Sequence, residues 1–273
     1  MSTAPSPPPP SPTHSPEEVE IRIISHSHLF YWWPVWAIGF ILGLLSFLFG
    51  DRMVIVPKDS QVVHTVKVAD EDRTAIVLPS KKTLPDDALK LHVSPSKTYG
   101  VIFSAVLLLV IVITNVPLRG MWSVFVIMLI VMLIIIFSLF DWWTTVLGWF
   151  YLLHVHINAA GYIVISTVLF IAWIITFVIF DQQVYMVFTP GQVKVRTEIG
   201  GGEVVYDSMG MTVQKQRSDL FRHWILGLGS GDLLVTTTGA ASHHFDLPNV
   251  LFIGKKVQQI EDMLREKAVV KGR

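Results

Sequence analysis

Long runs without a charge alternate with stretches of ordinary polarity along this chain. Residues 29–50, 99–118, 121–140 and 160–180 contain no Asp, Glu, Lys or Arg. Each run is about 20 residues, the length a helix needs to cross a ~30 Å hydrocarbon core. The pattern predicts four transmembrane helices. The second and third form a tight hairpin, turning at Pro117, Arg119 and Gly120. Residues 141–159 are apolar and rich in Trp but short for a span, which predicts an interfacial or re-entrant segment.

Beyond Gln182 the period changes from helical to two. Val193, Val195 and Thr197 alternate with Lys194, Arg196 and Glu198, as in a half-buried strand. Strands are also expected at Val184–Thr189, Glu203–Tyr206, Met211–Arg217, Leu233–Thr238 and Ser242–Asp246, with turns at Pro190-Gly191 and Gly200–Gly202. Ile253, Val257, Ile260 and Leu264 then recur at helical spacing, with Asn249 as a candidate cap. Residues 182–267 therefore read as a small antiparallel β-domain closed by one amphipathic helix. Residues 51–98 carry shorter β-like runs punctuated by Pro57, Pro79, Pro85 and Pro95, and read as a polar β-rich insert or loop. Residues 1–28 open on a Pro- and Ser-rich tract, which predicts a disordered arm.

Composition sharpens this picture. The 273 residues are 52% hydrophobic and only 15% charged, against about 25% charged in a soluble domain. Mean hydropathy is +0.54. Net charge is zero, so nucleic acid is not an expected partner. The chain has no Cys, which removes thiolate chemistry, iron–sulfur clusters and Cys-bound zinc. None of the four spans holds an ionisable side chain that a proton pump or ion-coupled transporter would use.

Tyr31, Trp32, Trp33 and Trp36 stand at the start of the first span, where amphipathic rings favour the headgroup level. Gly39, Gly43 and Ser46 form a small-residue face suited to close helix packing. Lys215, Arg217, Arg222 and His223 form a basic cluster beside Trp224. It is a candidate contact for anionic headgroups or a partner, with Trp224 read as core. His26/His28 and His154/His156 stand at i, i+2 near helix ends, with no acidic partner at ligand spacing, so polar anchoring is preferred to metal binding. Of His243 and His244, strand alternation exposes one. Gly227, Gly229 and Gly231 lead into a strand rather than a helix, which favours a turn over a phosphate cradle. No cofactor is expected.

Three quoted stretches resemble the bacterial pleckstrin-homology-like domain of membrane proteins. They are Val184–Gly191, then Gln216-Arg217-Ser218 with Leu226–Leu233, and Leu247-Pro248-Asn249-Val250. The chain also looks like a family of uncharacterised planctomycete membrane proteins. The resemblance covers residues 182–267 and implies a fold and a cytosolic placement in a bacterial inner membrane. It implies no catalytic residue.

Topology has two signals that collide. From Gly120 to Val193 there is no Lys or Arg, which puts residues 141–159 outside and the C-terminal domain inside. Arg52 and Lys58 after the first span pull residues 51–98 toward the cytosol instead. Four spans with both ends cytosolic is the expected arrangement.

The expected fold class is thus a membrane α-helical protein of about four transmembrane helices plus a C-terminal pleckstrin-homology-like β-domain with a closing α-helix. The expected function is non-enzymatic: presenting that domain for protein–protein or membrane-surface interaction, with the bilayer, a second copy or other membrane proteins as partners. One alternative is a passive channel or transporter subunit. Another is an interfacial lipid-processing enzyme using Asp141, His154 and His156.

Overall fold

The computed structural model describes residues 20–54, 56–68, 71–79, 91–116, 120–152, 155–208, 210–216, 219–237 and 242–271. In chain order the elements are β1 (Ile21–Ile24), α1 (Trp33–Phe49), β2 (Asp51–Met53), β3 (Gln61–Val68), β4 (Glu71–Val77) and β5 (Leu91–Val93). There follow α2 (Thr98–Asn115), α3 (Met121–Leu139), α4 (Trp143–Leu152) and α5 (Ala159–Ile175). The remainder is β6 (Tyr185–Phe188), β7 (Gln192–Arg196), β8 (Val204–Asp207), β9 (Thr212–Gln216), β10 (Gly231–Thr236), β11 (His244–Val250) and α6 (Ile253–Lys271). The chain divides into two compact units. One holds Met1–Tyr31, Pro117–Val124 and Ile174–Arg273; the other holds Trp32–Val116 and Phe125–Trp173.

Among the described residues four helices are long and apolar enough to cross a membrane: His28–Phe49, Thr98–Asn115, Met121–Leu139 and Ala159–Gln183. Along Met121–Leu139 the large apolar side chains are exposed nearly all round, as suits a helix whose solvent is lipid. α1 packs through its small face. Gly39, Gly43 and Ser46 are buried. A Cβ at Gly39 would collide with Ser166 Oγ, and one at Gly43 would come within 2.9 Å of Ile163 Cγ1. The small-residue face is therefore spent within the chain, against α5. Trp36 adds ring contacts to Phe170 and Trp173, at 5.0 and 5.6 Å between centroids.

In the same unit β2 pairs with β5, Asp51 opposite Val93, and β3 forms a hairpin with β4. Val93 also bridges Asn158, immediately before α5. α4 has 10 residues, too few to cross a hydrocarbon core.

The other unit contains two antiparallel sheets, ordered β1-β6-β7-β8 and β11-β10-β9. Ile21, Ile23, Met186, Phe188, Leu233 and Leu247 meet in one apolar core, to which α6 adds Ile253 and Ile260. The placement of β1 corrects the expectation that residues 1–28 form a disordered arm. Ile21 and Ile23 are buried and alternate with Arg22, and the strand pairs with β6 from Ile21↔Phe188 to Ile24↔Tyr185. Four residues are enough for a strand when a preformed edge supplies the hydrogen bonds. Residues 1–19 lie outside the described residues.

Candidate functional site

Several polar residues that the strand unit buries, among them His223, Ser230, Asp232 and Asn249, meet around Tyr31, the fourth residue of the first candidate span. Tyr31 is fully buried. Its hydroxyl donates to Asn249 Oδ1 at 2.8 Å. Its oxygen is then left to accept from the neighbouring Ser230 Oγ at 3.1 Å or His223 Nδ1 at 3.3 Å. Asn249 Nδ2 donates to the carbonyl of His26 at 2.8 Å, which fixes the amide so that its oxygen faces Tyr31.

Asp232 forms the floor of this junction. It accepts from the backbone N–H of Asn249 at 3.0 Å and lies 3.3 Å from Arg222 Nη2 and 3.4 Å from His223 Nε2. Burial by itself raises a carboxyl's proton affinity. Here the hydrogen bonds from His223 and Asn249, with the charges of His223 and Arg222, outweigh burial and hold Asp232 below the ordinary carboxylate range. Asp219 caps the approach, accepting from the Arg222 backbone N–H at 3.0 Å. Arg222 Nη1 reaches His28 Nε2 at 3.4 Å.

A second knot ties the other span end. His26 Nδ1 meets Asp181 Oδ2 at 3.0 Å, and the Ser27 backbone N–H donates to Asp181 Oδ1 at 3.2 Å. The His26 ring stacks on Phe177 and Phe30, at 5.0 and 5.4 Å. Ser25 donates to the carbonyl of Pro248 at 2.9 Å. The segment 21–31 thus joins the end of the fourth span to the strand before α6.

The local backbone explains why these residues meet. Phe221–Leu226 is a short π-helical turn, in the stretch between the expected strands Met211–Arg217 and Leu233–Thr238. It turns Arg222 and His223 inward. Gly227 lets the chain pass close to Tyr31, since a Cβ there would lie 2.8 Å from Tyr31 Cε1 and collide with Ser230 Oγ. Gly229 sits at φ +85°, a left-handed conformation that glycine adopts freely.

These positions revise the candidate basic cluster. Arg222 and His223 are buried among carboxylates and are not a headgroup surface. Lys215 is exposed, on the rim of an open groove between β9 and α6 that also presents Glu261, Asp262 and Arg265. Arg217 lies outside the described residues. Trp224, expected in the core, is 71% exposed. Asn249 does not cap α6; it belongs to β11, at φ +58°, and the helix starts four residues later. His26 has an acidic partner after all, in Asp181 far along the chain. His243 and His244 are both exposed. Asp141 is exposed in the turn after α3, at φ +53°. His156 is exposed, and His154 lies outside the described residues.

Among the described residues no group of three or more His, Asp or Glu side chains is placed to hold a metal ion. In the junction these side chains are closed to solvent, and their hydrogen bonds fix its geometry. Sequence reasoning missed Tyr31, Ser230, Asp232, Asn249, Asp219 and Asp181 as one set. Comparison with known protein families, curated proteins and solved structures finds no match.

Proposed function

We propose that this chain is a non-enzymatic integral membrane protein whose four helices hold a pleckstrin-homology-like domain at the cytosolic face of a bacterial inner membrane. The domain serves protein–protein or membrane-surface interaction, with a second copy or other membrane proteins as partners. The observation that carries this reading is the incorporation of β1 and the end of the fourth span into the strand domain. Within the strand unit, β1 and Asp181 tie the domain to the residues that lead into the first span and out of the fourth.

The strand pairings also support four crossings. β1 with β6 puts residues 21–24 and 185–188 on one side. β2 with β5, and Val93 with Asn158, put residues 51–53, 91–93 and 158 together. One crossing separates the first set from the second in each direction, so an even number lies between Val93 and Asn158. α2 and α3 supply two, and α4 does not cross. The absence of Lys and Arg from Gly120 to Val193 favours the outside for residues 141–159 and the cytosol for the domain. Two meanders of strands closed by one C-terminal helix support the pleckstrin-homology-like reading.

Photoreactive residues placed in living cells at Lys215, Gln258 and Glu261 test the function. Discrete cross-linked species at these positions are expected. No adduct at any of them, with protein-dependent solute flux in liposomes, would overturn the reading in favour of a channel.

A further inference from the structure

Two loops of the strand domain expose large apolar side chains. Trp224 is 71% exposed, Leu228 66%, Phe252 62% and Ile225 56%. They lie on two loops, 221–230 and 250–253, that are far apart in sequence. Both loops are tied to Tyr31, the first through His223 and Ser230, the second through Asn249. Leu228 and Phe252 have φ of +49° and +51°, a region in which a bulky side chain is an outlier. Strained, exposed, apolar residues in loops point toward a function outside the core.

We propose that Trp224, Ile225, Leu228 and Phe252 form a wedge that enters the interfacial layer of the membrane in which the chain's own spans sit. The proposal rests on the reading of the four apolar helices as membrane spans. Chain continuity selects lipid as the occupant. Tyr31 is the fourth residue of the span His28–Phe49, and Asp181, bound to His26, lies two residues before the end of the span Ala159–Gln183. Loops packed on these residues stand at the level where the chain leaves the hydrocarbon. Trp and Phe beside Leu and Ile suit the boundary between headgroups and acyl chains. Within the first loop the contact is apolar, because Arg222 and His223 are committed to Asp219 and Asp232.

The full chain has no Cys, so single cysteines at 224, 225, 228 and 252 can carry an environment-sensitive fluorophore. A further cysteine at Gln192 is the reference, since β6 carries the chain away from the span end to that exposed turn. The labelled proteins are reconstituted in phosphatidylcholine–phosphatidylglycerol vesicles. Emission at the four wedge positions is expected to be blue-shifted relative to 192, quenched by nitroxides on the upper acyl chain, and protected from iodide. Iodide quenching at all four without nitroxide quenching would overturn the wedge and favour a protein partner. Alkaline carbonate separates the two readings. Retention of the protein in the membrane with iodide-accessible probes defeats the wedge alone. Extraction of the unlabelled protein defeats the spans and the wedge with them.

Discussion

Tyr31, in the first turn of the first span, donates its hydroxyl proton to Asn249, four residues before the closing helix. The bond has no slack. Asn249 spends its own amide protons on the carbonyl of His26, so no other orientation serves both partners. Removing the hydroxyl leaves the buried Asn249 Oδ1 without its donor, while Ser230 Oγ and His223 Nδ1 keep each other at 3.1 Å. Tyr31→Phe is expected to cost about 1–3 kcal/mol, read as a lower unfolding midpoint of the detergent-solubilised protein.

Asp232 faces Arg222 and His223 within the same buried cluster. Asp232→Asn keeps the shape and the acceptor for the Asn249 N–H, but leaves Arg222 with Asp219 as its carboxylate. Loss of one partner of a buried pair costs about 3–5 kcal/mol. A larger effect than that of Tyr31→Phe is expected in the same melt.

Acid should act through that carboxylate. The folded protein holds Asp232 below its ordinary range, so the unfolded state binds its proton more readily. The stability it contributes is fully present above the ordinary aspartate value of about 3.9 and is lost as pH falls through the lower folded value. Unfolding midpoints measured across that window should fall with pH in the native chain. The slope should be shallower in Asp232→Asn.

Ile23 is fully buried in the core that β1 completes. Ile23→Asp places an unpaired charge there, and β1 must leave its place beside β6. Hydrogen exchange is expected to rise across β6, β7 and α6 while the helices of the other unit stay protected. Unchanged exchange in β6 would show that the strand is dispensable.

Gly43 approaches Ile163 and Tyr162 too closely for a larger side chain. Gly43→Leu overpacks this contact and is expected to cost about 1–3 kcal/mol. Loss of melting stability without any change in oligomeric state would mark the face as internal to one chain.

The spans were legible because lipid forbids charge over some twenty residues, a constraint few other structures impose. Period-two alternation likewise exposed β6 and β7. The junction was not legible, for physical reasons specific to its parts. β1 has only four residues, and its hydrogen bonds go to β6, about 160 residues further along the chain. Tyr31 stands beside two tryptophans and reads as part of an interfacial belt. Without a helical turn at Phe221–Leu226, Trp224 reads as core and Arg222 and His223 as a candidate contact surface. A helical spacing from Asp219 to Arg222 and His223 was the available signal. Asn249 was ambiguous because the same residue type serves as a helix cap and as a left-handed kink.

The central claim is that both ends of the strand domain's chain lie on one side, with four crossings between them. Impermeant thiol labelling of single cysteines at Glu20, Asp59, Thr144 and Ser242 in intact cells tests it directly. The account predicts labelling at 59 and 144 and protection at 20 and 242 until the membrane is opened. Labelling of 20 without 242, or of 242 without 20, would contradict the pairing of β1 with β6 and the architecture built on it.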